Sequence, residues 1–319
     1  MIEILTFGRY LHQKFGKKVY KVPISLPGFT CPNIDGSVTI GGCTFCDNES
    51  FSPNLNRSLL PKRETLNQNS TNNPYLQMQL LTLEAQFAKT STQLANKFKA
   101  DAFLVYFQSF SNTYAPLETL KALYEKALSF DKAIGLSIGT RSDCISEDIA
   151  DYLAQLSETH EIWIEFGIQS IYDQTLLKIN RGHDFENVKN AIEICKKRGL
   201  KICGHLIFGL PGESKEMMLS SVEESIKLGI DSLKFHPAYV VKNTALANDI
   251  RSGKYSPISE EDFLDVLVKA IKMLPSDISI QRISAGINDE SLIAPTWCGD
   301  KNSQMINARN YLLSHGMIY

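Results

Sequence analysis

Cys31-Pro-Asn-Ile-Asp-Gly-Ser-Val-Thr-Ile-Gly-Gly-Cys43-Thr-Phe-Cys46 is the stretch on which the reading of this chain turns. Eleven residues separate the first two cysteines and two separate the last pair, so three of the chain's seven cysteines fall within sixteen residues. The apolar and β-branched run Val19–Leu26 leads directly into it. That order places the cysteines beyond the C-terminal end of a strand, where parallel α/β folds gather their chemistry. Gly36, Gly41 and Gly42 let the backbone turn tightly around a bulky object. Three thiolates can hold three irons of a four-iron cluster and leave the fourth iron open to an exogenous ligand. The alternative is zinc. Structural zinc is nearly always four-coordinate, however, and no fourth Cys or His stands close; His12, the nearest upstream, has no paired spacing with the group.

Outward from this stretch the chain alternates between strands and helices. Strands are predicted over Val19–Leu26, Phe103–Phe107, Ala133–Ile138, Ile162–Ile168, Lys201–Phe208, Ser232–Pro237 and Ile278–Ile283, several of them short apolar runs of the kind buried on both faces of a parallel sheet. Between them, Leu117, Leu120, Leu123, Tyr124, Ala127 and Leu128 lie on one helical stripe after Pro116. Ser146 is placed to cap a helix carrying Ile149, Tyr152, Leu153 and Leu156, and Val188, Ala191, Ile192 and Cys195 form another stripe. Ser259 and three acids precede a stripe from Phe263 to Leu274. The alternation implies βαβ units and a parallel sheet, and six or so units suit an open barrel better than a closed eight-fold one. Ser52–Tyr75, rich in Asn, Ser, Thr and Pro, reads as a long loop. The expected organisation is a partial barrel over residues 1–285 and an extension, 286–319, covering one end of the sheet.

Composition narrows the class. The chain has 319 residues, 43% hydrophobic and 21% charged, which suits a large globular α/β unit and excludes disordered or fibrous classes. No apolar run approaches the roughly 20 residues that cross a bilayer, and no basic leader precedes an apolar core, so the expected location is the cytoplasm, with no membrane partner. Closely spaced thiols there point to metal binding or catalysis before disulfides. A formal net charge of −2 argues against broad nucleic-acid binding. Two basic clusters, one of Arg9, Lys14, Lys17, Lys18 and Lys21 and one of Lys196, Lys197, Arg198 and Lys201, leave room for a local basic surface, although solvated faces explain most such runs.

The spaced motifs Gly28-Phe-Thr-Cys31-Pro-Asn-Ile-Asp-Gly, Gly42-Cys43-Thr-Phe-Cys46, Tyr106-Phe-Gln-Ser-Phe-Ser-Asn-Thr-Tyr-Ala-Pro116, Ile179-Asn-Arg-Gly-His183 and His205-Leu-Ile-Phe-Gly-Leu-Pro-Gly-Glu213 occur in that order. Together they resemble the radical S-adenosylmethionine (SAM) superfamily, in the branch of the elongator catalytic subunit and the oxygen-independent coproporphyrinogen dehydrogenase, and most closely the YhcC/YtqA-type proteins. The resemblance implies an α/β fold, a partial (βα)6 TIM-like barrel with parallel strands. It implies a [4Fe-4S] cluster on Cys31, Cys43 and Cys46, with S-adenosyl-L-methionine on the open iron. One electron then breaks a sulfur–carbon bond, giving methionine and a 5′-deoxyadenosyl radical that abstracts hydrogen from substrate; the cofactor carries the hard chemistry.

By the same resemblance Phe45 lies near the adenine, and Gln108 and Ser109 stand where relatives carry a glycine-rich segment receiving the amino group. Thr140, with Arg141 after it, and Gln169 follow the third and fourth strands as cofactor contacts. Arg181 pairs with the methionine carboxylate, a bidentate task for a planar guanidinium, and Gly209 in Gly209-Leu-Pro-Gly212 allows close approach to the adenine. His205 stands where some relatives carry Asp. Gln108, Gln169 and Thr140 could equally satisfy backbone groups at strand ends, and for His205, His236 and Glu165 functional and structural roles are evenly weighted. A flavodoxin- or ferredoxin-like electron donor is implied. The candidate substrate is a tRNA wobble-uridine side chain, against a small metabolite, a porphyrin-like molecule, or a non-catalytic iron–sulfur or zinc protein. The chain has no room for the elongator subunit's acetyltransferase domain and no second cysteine group, so neither that full reaction nor sulfur insertion is expected.

Overall fold

The computed structural model describes residues 1–48, 52, 54–55, 65–288 and 290–319. In chain order these form β1 (Ile2–Glu3), α1 (Phe7–Phe15), β2 (Val19–Ile24), α2 (Leu76–Phe98), β3 (Ala102–Phe107), α3 (Leu117–Leu128), β4 (Ala133–Thr140), α4 (Glu147–Ser157), β5 (Glu161–Gln169), α5 (Asp173–Lys178), α6 (Phe185–Lys196) and β6 (Lys201–Phe208). The remainder is α7 (Lys215–Lys227), β7 (Ser232–Pro237), β8 (Val240–Val241), α8 (Ala245–Arg251), α9 (Glu260–Met273), β9 (Ser279–Arg282), β10 (Leu292–Ala294), α10 (Lys301–Ser314) and β11 (Met317–Ile318).

Seven strands, in the order β2-β3-β4-β5-β6-β7-β9, form one parallel sheet, and they are the seven strands expected from the sequence. The sheet curls into a half-barrel. Lys21 on β2 and Gln281 on β9 stand on strands at opposite edges, yet the Lys21 ammonium hydrogen-bonds the Gln281 amide oxygen. A flat sheet of seven strands spaced about 4.8 Å apart would hold them far out of reach. Alternation along each strand sorts the two faces. Val105, Phe107, Ile138, Ile164, Phe166, Ile202, Leu206 and Phe235 belong to the main apolar core, while Leu104, Trp163 and Cys203 form a second cluster on the concave face. Helix α1 closes that second cluster, with Phe7 edge-on to Trp163 at 5.0 Å and Leu11 1% exposed.

Local chemistry sets the helix starts. Ser146 caps α4 as expected, and Ser259, Thr6, Asp184, Ser214 and Asp300 do the same elsewhere, each accepting from backbone N–H. Each such cap contributes about 1 kcal/mol. The 23-residue α2 is a helix the sequence pattern did not single out. Its buried face is Gln79, Leu83 and Phe87 alone, and a glutamine in that stripe breaks the apolar period. Gln79 earns its burial by donating to the Pro27 carbonyl at 2.7 Å.

Of the loop expected over Ser52–Tyr75, residues 53 and 56–64 lie outside the described residues. Its later part is anchored over the C-terminal ends of the strands: the Leu66 amide donates to Gly28 O at 2.8 Å and Gln68 Nε2 to Cys144 O at 2.9 Å. Beyond β9, β10 pairs antiparallel with β8, Ala308 and Leu312 of α10 join the main core, and β11 pairs with β1. No helix among the described residues is long and apolar enough to cross a membrane.

Candidate cofactor site

The cysteine loop is built as a tight knot. Gly41 and Gly42, at φ +90° and +75°, take turns that a side chain resists, and the Gly42 amide closes back onto Asn33 O at 2.6 Å. The segment Ile179–Arg181 sews the loop in place. Asn180 Nδ2 donates to Ile40 O and Gly42 O at 3.1 and 2.8 Å, and the Thr44 amide donates to Ile179 O at 2.9 Å. The Ile179–His183 motif thereby forms the loop's other wall.

The three thiols share one electrostatic neighbourhood. Burial pushes the Cys31 thiol up to about 11, against the Ser111 hydroxyl and Arg141, which pull it down. Burial also raises Cys46 well above its ordinary value, and Cys43 and Cys31 add to the rise while Arg181 opposes it. Donors already face the sulfurs: Asn33 Nδ2 at 3.3 Å and Arg181 Nη1 at 3.7 Å from Cys43 Sγ, and Ser111 Oγ at 3.3 Å from Cys31 Sγ. Thiolates are the iron-binding form, and two guanidinium groups with fixed hydrogen-bond donors favour them.

Several buried polar atoms in and around the cysteine loop lack any partner: Thr39 Oγ1 and Thr44 Oγ1 on the loop itself, and Arg181 Nε, Arg141 Nη1 and Gln169 Oε1 around it. Buried polar groups are normally satisfied, so these mark a place where a polar ligand belongs. Gln169 also holds φ +66° at the end of β5, a strained conformation for a residue with a side chain. Gly167 makes room for both partners. A Cβ there would stand 2.6 Å from Gln169 Nε2 and 3.0 Å from Arg181 Nη2, which instead donates to Gly167 O at 2.7 Å. The donor set and the unpartnered atoms fit a cluster with an amino-acid-bearing ligand. Among the described residues no three His, Cys, Asp or Glu side chains converge to hold a single metal ion. A four-iron cluster takes one thiolate per iron and asks for no such convergence.

The remaining expected contacts are distributed unevenly. Phe45 packs between two small apolar groups, one with Leu176, Ile179 and Leu210 and one with Leu246 and Tyr255. Ser109 Oγ is taken up by Ser25 and Ser52, while Ser111, two residues on, is the serine that reaches a cysteine. The Gln108 amide donates to Ile24 O at 3.2 Å, between β2 and β3. Thr140 Oγ1 meets Thr113 Oγ1 at 2.6 Å, whereas Arg141 beside it is held by Asp143 and keeps Nη1 unpartnered. A Cβ on Gly209 would stand 2.7 Å from Ile258, so its φ of +87° serves packing there, and its carbonyl accepts from Tyr255. His205 lies lower in the half-barrel, 2.8 Å from Glu165 Oε2. Sequence reasoning passed over Asn33, Ser111 and Asn180 as site residues, although all three stand inside quoted motifs. The Ser111 hydroxyl that serves Cys31 acts on Cys144 as well.

The basic clusters are largely neutralised. Arg9 pairs with Glu3, Lys14 and Lys201 with Glu161, Lys21 with Glu165, Lys196 with Asp231, Lys197 with Glu193, and Arg198 with Glu147 and Asp151. Lys196 and Lys197 pair on solvated faces, whereas Lys14, Lys21 and Lys201 reach inward to the buried carboxylates of Glu161 and Glu165.

The pattern described as Radical SAM superfamily matches residues 40–224, more than half of the chain, and that of the Radical_SAM C-terminal domain matches residues 230–312. The chain belongs to the radical SAM superfamily. It is 34% identical over 312 residues to Protein YhcC of Escherichia coli strain K12, covering 98% of this chain and 93% of that protein. It is 31% identical over 159 residues to the tRNA uridine(34) acetyltransferase of Methanocaldococcus infernus, covering 49% of this chain and 29% of that one. The fold is similar to that of the archaeal Methanocaldococcus infernus Elp3 with an N-terminal deletion, at a TM-score of 0.59 and 19% identity, over 93% of this chain and 63% of that one. The radical SAM half-barrel is therefore the architecture of this protein.

Proposed function

We propose that Cys31, Cys43 and Cys46 hold a [4Fe-4S] cluster and that the protein cleaves S-adenosyl-L-methionine reductively to oxidise a substrate radically. The carrying observation is the meeting of three thiols with Arg181, Arg141 and Gln169, each of which keeps a buried atom unpartnered beside them. When bound, the cluster would pass on an electron from an external donor and SAM would supply the 5′-deoxyadenosyl radical. The chain's own residues do the positioning. Arg181 and Asn33 hold the Cys43 sulfur, Ser111 holds the Cys31 sulfur, and Asn180 fixes the loop that spaces them. Arg181 Nε and Arg141 Nη1 offer donors to a carboxylate, and Gln169 Oε1 offers an acceptor to an ammonium. A flavodoxin- or ferredoxin-like protein supplies the electron.

The substrate we favour is a tRNA wobble-uridine side chain, supported by the shared motifs and by the similarity to a tRNA uridine(34) acetyltransferase over half of this chain. A small metabolite is the second reading, and the neutralised basic clusters favour it over a polyanionic tRNA. Anaerobic reconstitution with SAM and dithionite tests the chemistry, and absence of 5′-deoxyadenosine overturns it. Mass spectrometry of tRNA nucleosides from cells lacking the protein tests the substrate, and an unchanged wobble-uridine profile moves the assignment to the metabolite.

A further inference from the structure

Below the cysteine site, the concave face carries a polar layer that the cofactor reading leaves unused. Each strand contributes: Lys21 on β2, Tyr106 on β3, Ser137 on β4, Glu165 on β5, His205 on β6, Lys234 and His236 on β7, and Gln281 and Arg282 on β9. Glu165, fully buried, accepts from Lys21 and Ser137 on one oxygen and from Lys234 and His205 on the other. Lys234 also donates to the Tyr106 hydroxyl at 3.1 Å.

The layer carries more positive charge than it neutralises. Lys21 and Lys234 share the single carboxylate of Glu165, whose two oxygens are already occupied, and Arg282 adds a third positive charge beside Lys234 and His236. Polar groups remain without a partner: His236 Nε2, a donor or an acceptor according to tautomer, and Gln281 Nε2 are buried and unbonded, and the Arg282 guanidinium, brought beside Lys234 by the sheet, has no ion-pair partner among the described residues. The surplus is felt within the layer. Burial, with Lys21 and Arg282, takes Lys234 down to about 8 despite Glu165. Burial, with Arg282, His205 and Lys234, takes His236 well below its ordinary value. The layer is within reach of small molecules, since the side chains of His205 and Lys21 are 20% and 18% exposed. Glu165 and Gly167 share the concave face, so it lies roughly 6.6 Å along β5 below the Gly167 carbonyl that holds Arg181.

We propose that this layer is an oxyanion subsite, in which Lys234, His236 and Arg282 receive a carboxylate or phosphate group of the substrate. The assignment of that anion to the substrate rests on the radical SAM reading of the cysteine site; the binding itself does not. A structural ion network alone would be closed and balanced, whereas this one has a saturated acid, surplus positive charge and buried polar atoms without a partner.

The test uses anaerobically reconstituted wild type, His236→Phe and Arg282→Met, with inorganic phosphate, acetate and, at matched ionic strength, chloride as probes. Thermal unfolding reports binding to the folded state, and equilibrium dialysis with SAM is run in parallel. Expected is a rise of a few degrees in the wild-type midpoint with phosphate or acetate beyond chloride, lost in both variants, while both retain SAM binding. A response to phosphate alone assigns a phosphate-bearing substrate; a response to acetate alone assigns a carboxylate. No rise beyond chloride with either probe, or an equal rise in the variants, overturns the proposal. Wild type that responds to the anion but binds no SAM overturns the cofactor reading instead.

Discussion

The cysteine site and the polar layer beneath it lie one alternation apart on β5, yet they are assembled in opposite ways. The three thiols of the upper site come from one sixteen-residue stretch, and short range does most of the work: paired glycines, an Asn33 turn, and one strap from Ile179–Arg181. The lower layer draws one or two residues from each of seven strands, and only the register of the sheet makes them neighbours. The upper site keeps its polar atoms open, Gln169 in a strained conformation among them. The lower layer spends its one carboxylate completely. The contrast teaches that binding capacity here stands on what the fold leaves unsatisfied, while rigidity stands on what it saturates.

If the upper site alone carries the cluster, Cys43→Ala is expected to abolish iron and sulfide binding in anaerobically purified protein, with the far-ultraviolet spectrum intact. Retention of wild-type iron would erase the distinction between the two regions. If the lower layer is the rigid one, Glu165→Gln strands Lys21 and Lys234 and is expected to lower stability by about 3–5 kcal/mol in urea unfolding at neutral pH. Burial raises the Glu165 carboxyl, but Lys21 and Lys234 outweigh it and hold it well below the usual range. Its stabilisation is therefore full above the ordinary carboxylate value and fades as pH falls through the lower folded one. The gap between wild type and variant should shrink in acid; a gap that widens there would show that the carboxylate is not the element being measured.

Two smaller substitutions sharpen the reading of the upper site. Gly167→Ala places a Cβ 2.6 Å from Gln169 Nε2 and 3.0 Å from Arg181 Nη2. Displacing both is expected to weaken SAM binding about tenfold, or ~1.4 kcal/mol, which equilibrium dialysis reads directly. Gln169→Gly relieves the φ of +66° and is expected to raise stability by about 1 kcal/mol while SAM affinity falls. A loss of both would make Gln169 a packing residue.

Much of the fold was legible because the signals were local. Seven apolar runs marked seven strands, and the serines at 146 and 259 marked helix starts that the structure uses. Helix α2 escaped because Gln79 holds a core position by bonding to a carbonyl, which hydropathy does not record. Around the cysteines, spacing identified the thiols but not their neighbours. Ser109 and Ser111 look alike in sequence, and only the turn after β3, with Phe110 at φ +64°, decides which hydroxyl meets Cys31 and which meets Ser25 and Ser52. Arg141 rather than Thr140 keeps an open donor for the same reason, since Thr113 arrives from a different segment. The basic runs show the converse error. Charge counted along the chain suggests a surface, but Glu161, Glu165 and Asp231 reach those residues from distant strands and turns.

The sequence by itself determined the strand–helix alternation and the trio of thiols, because periodicity and spacing act within a few residues and survive without any partner. Only the tertiary structure decided which side chains are saturated and which are left open. Hydrogen bonds and buried charges are settled by distance in space, and the curl of the sheet brings β2 against β9 while the chain keeps them 260 residues apart.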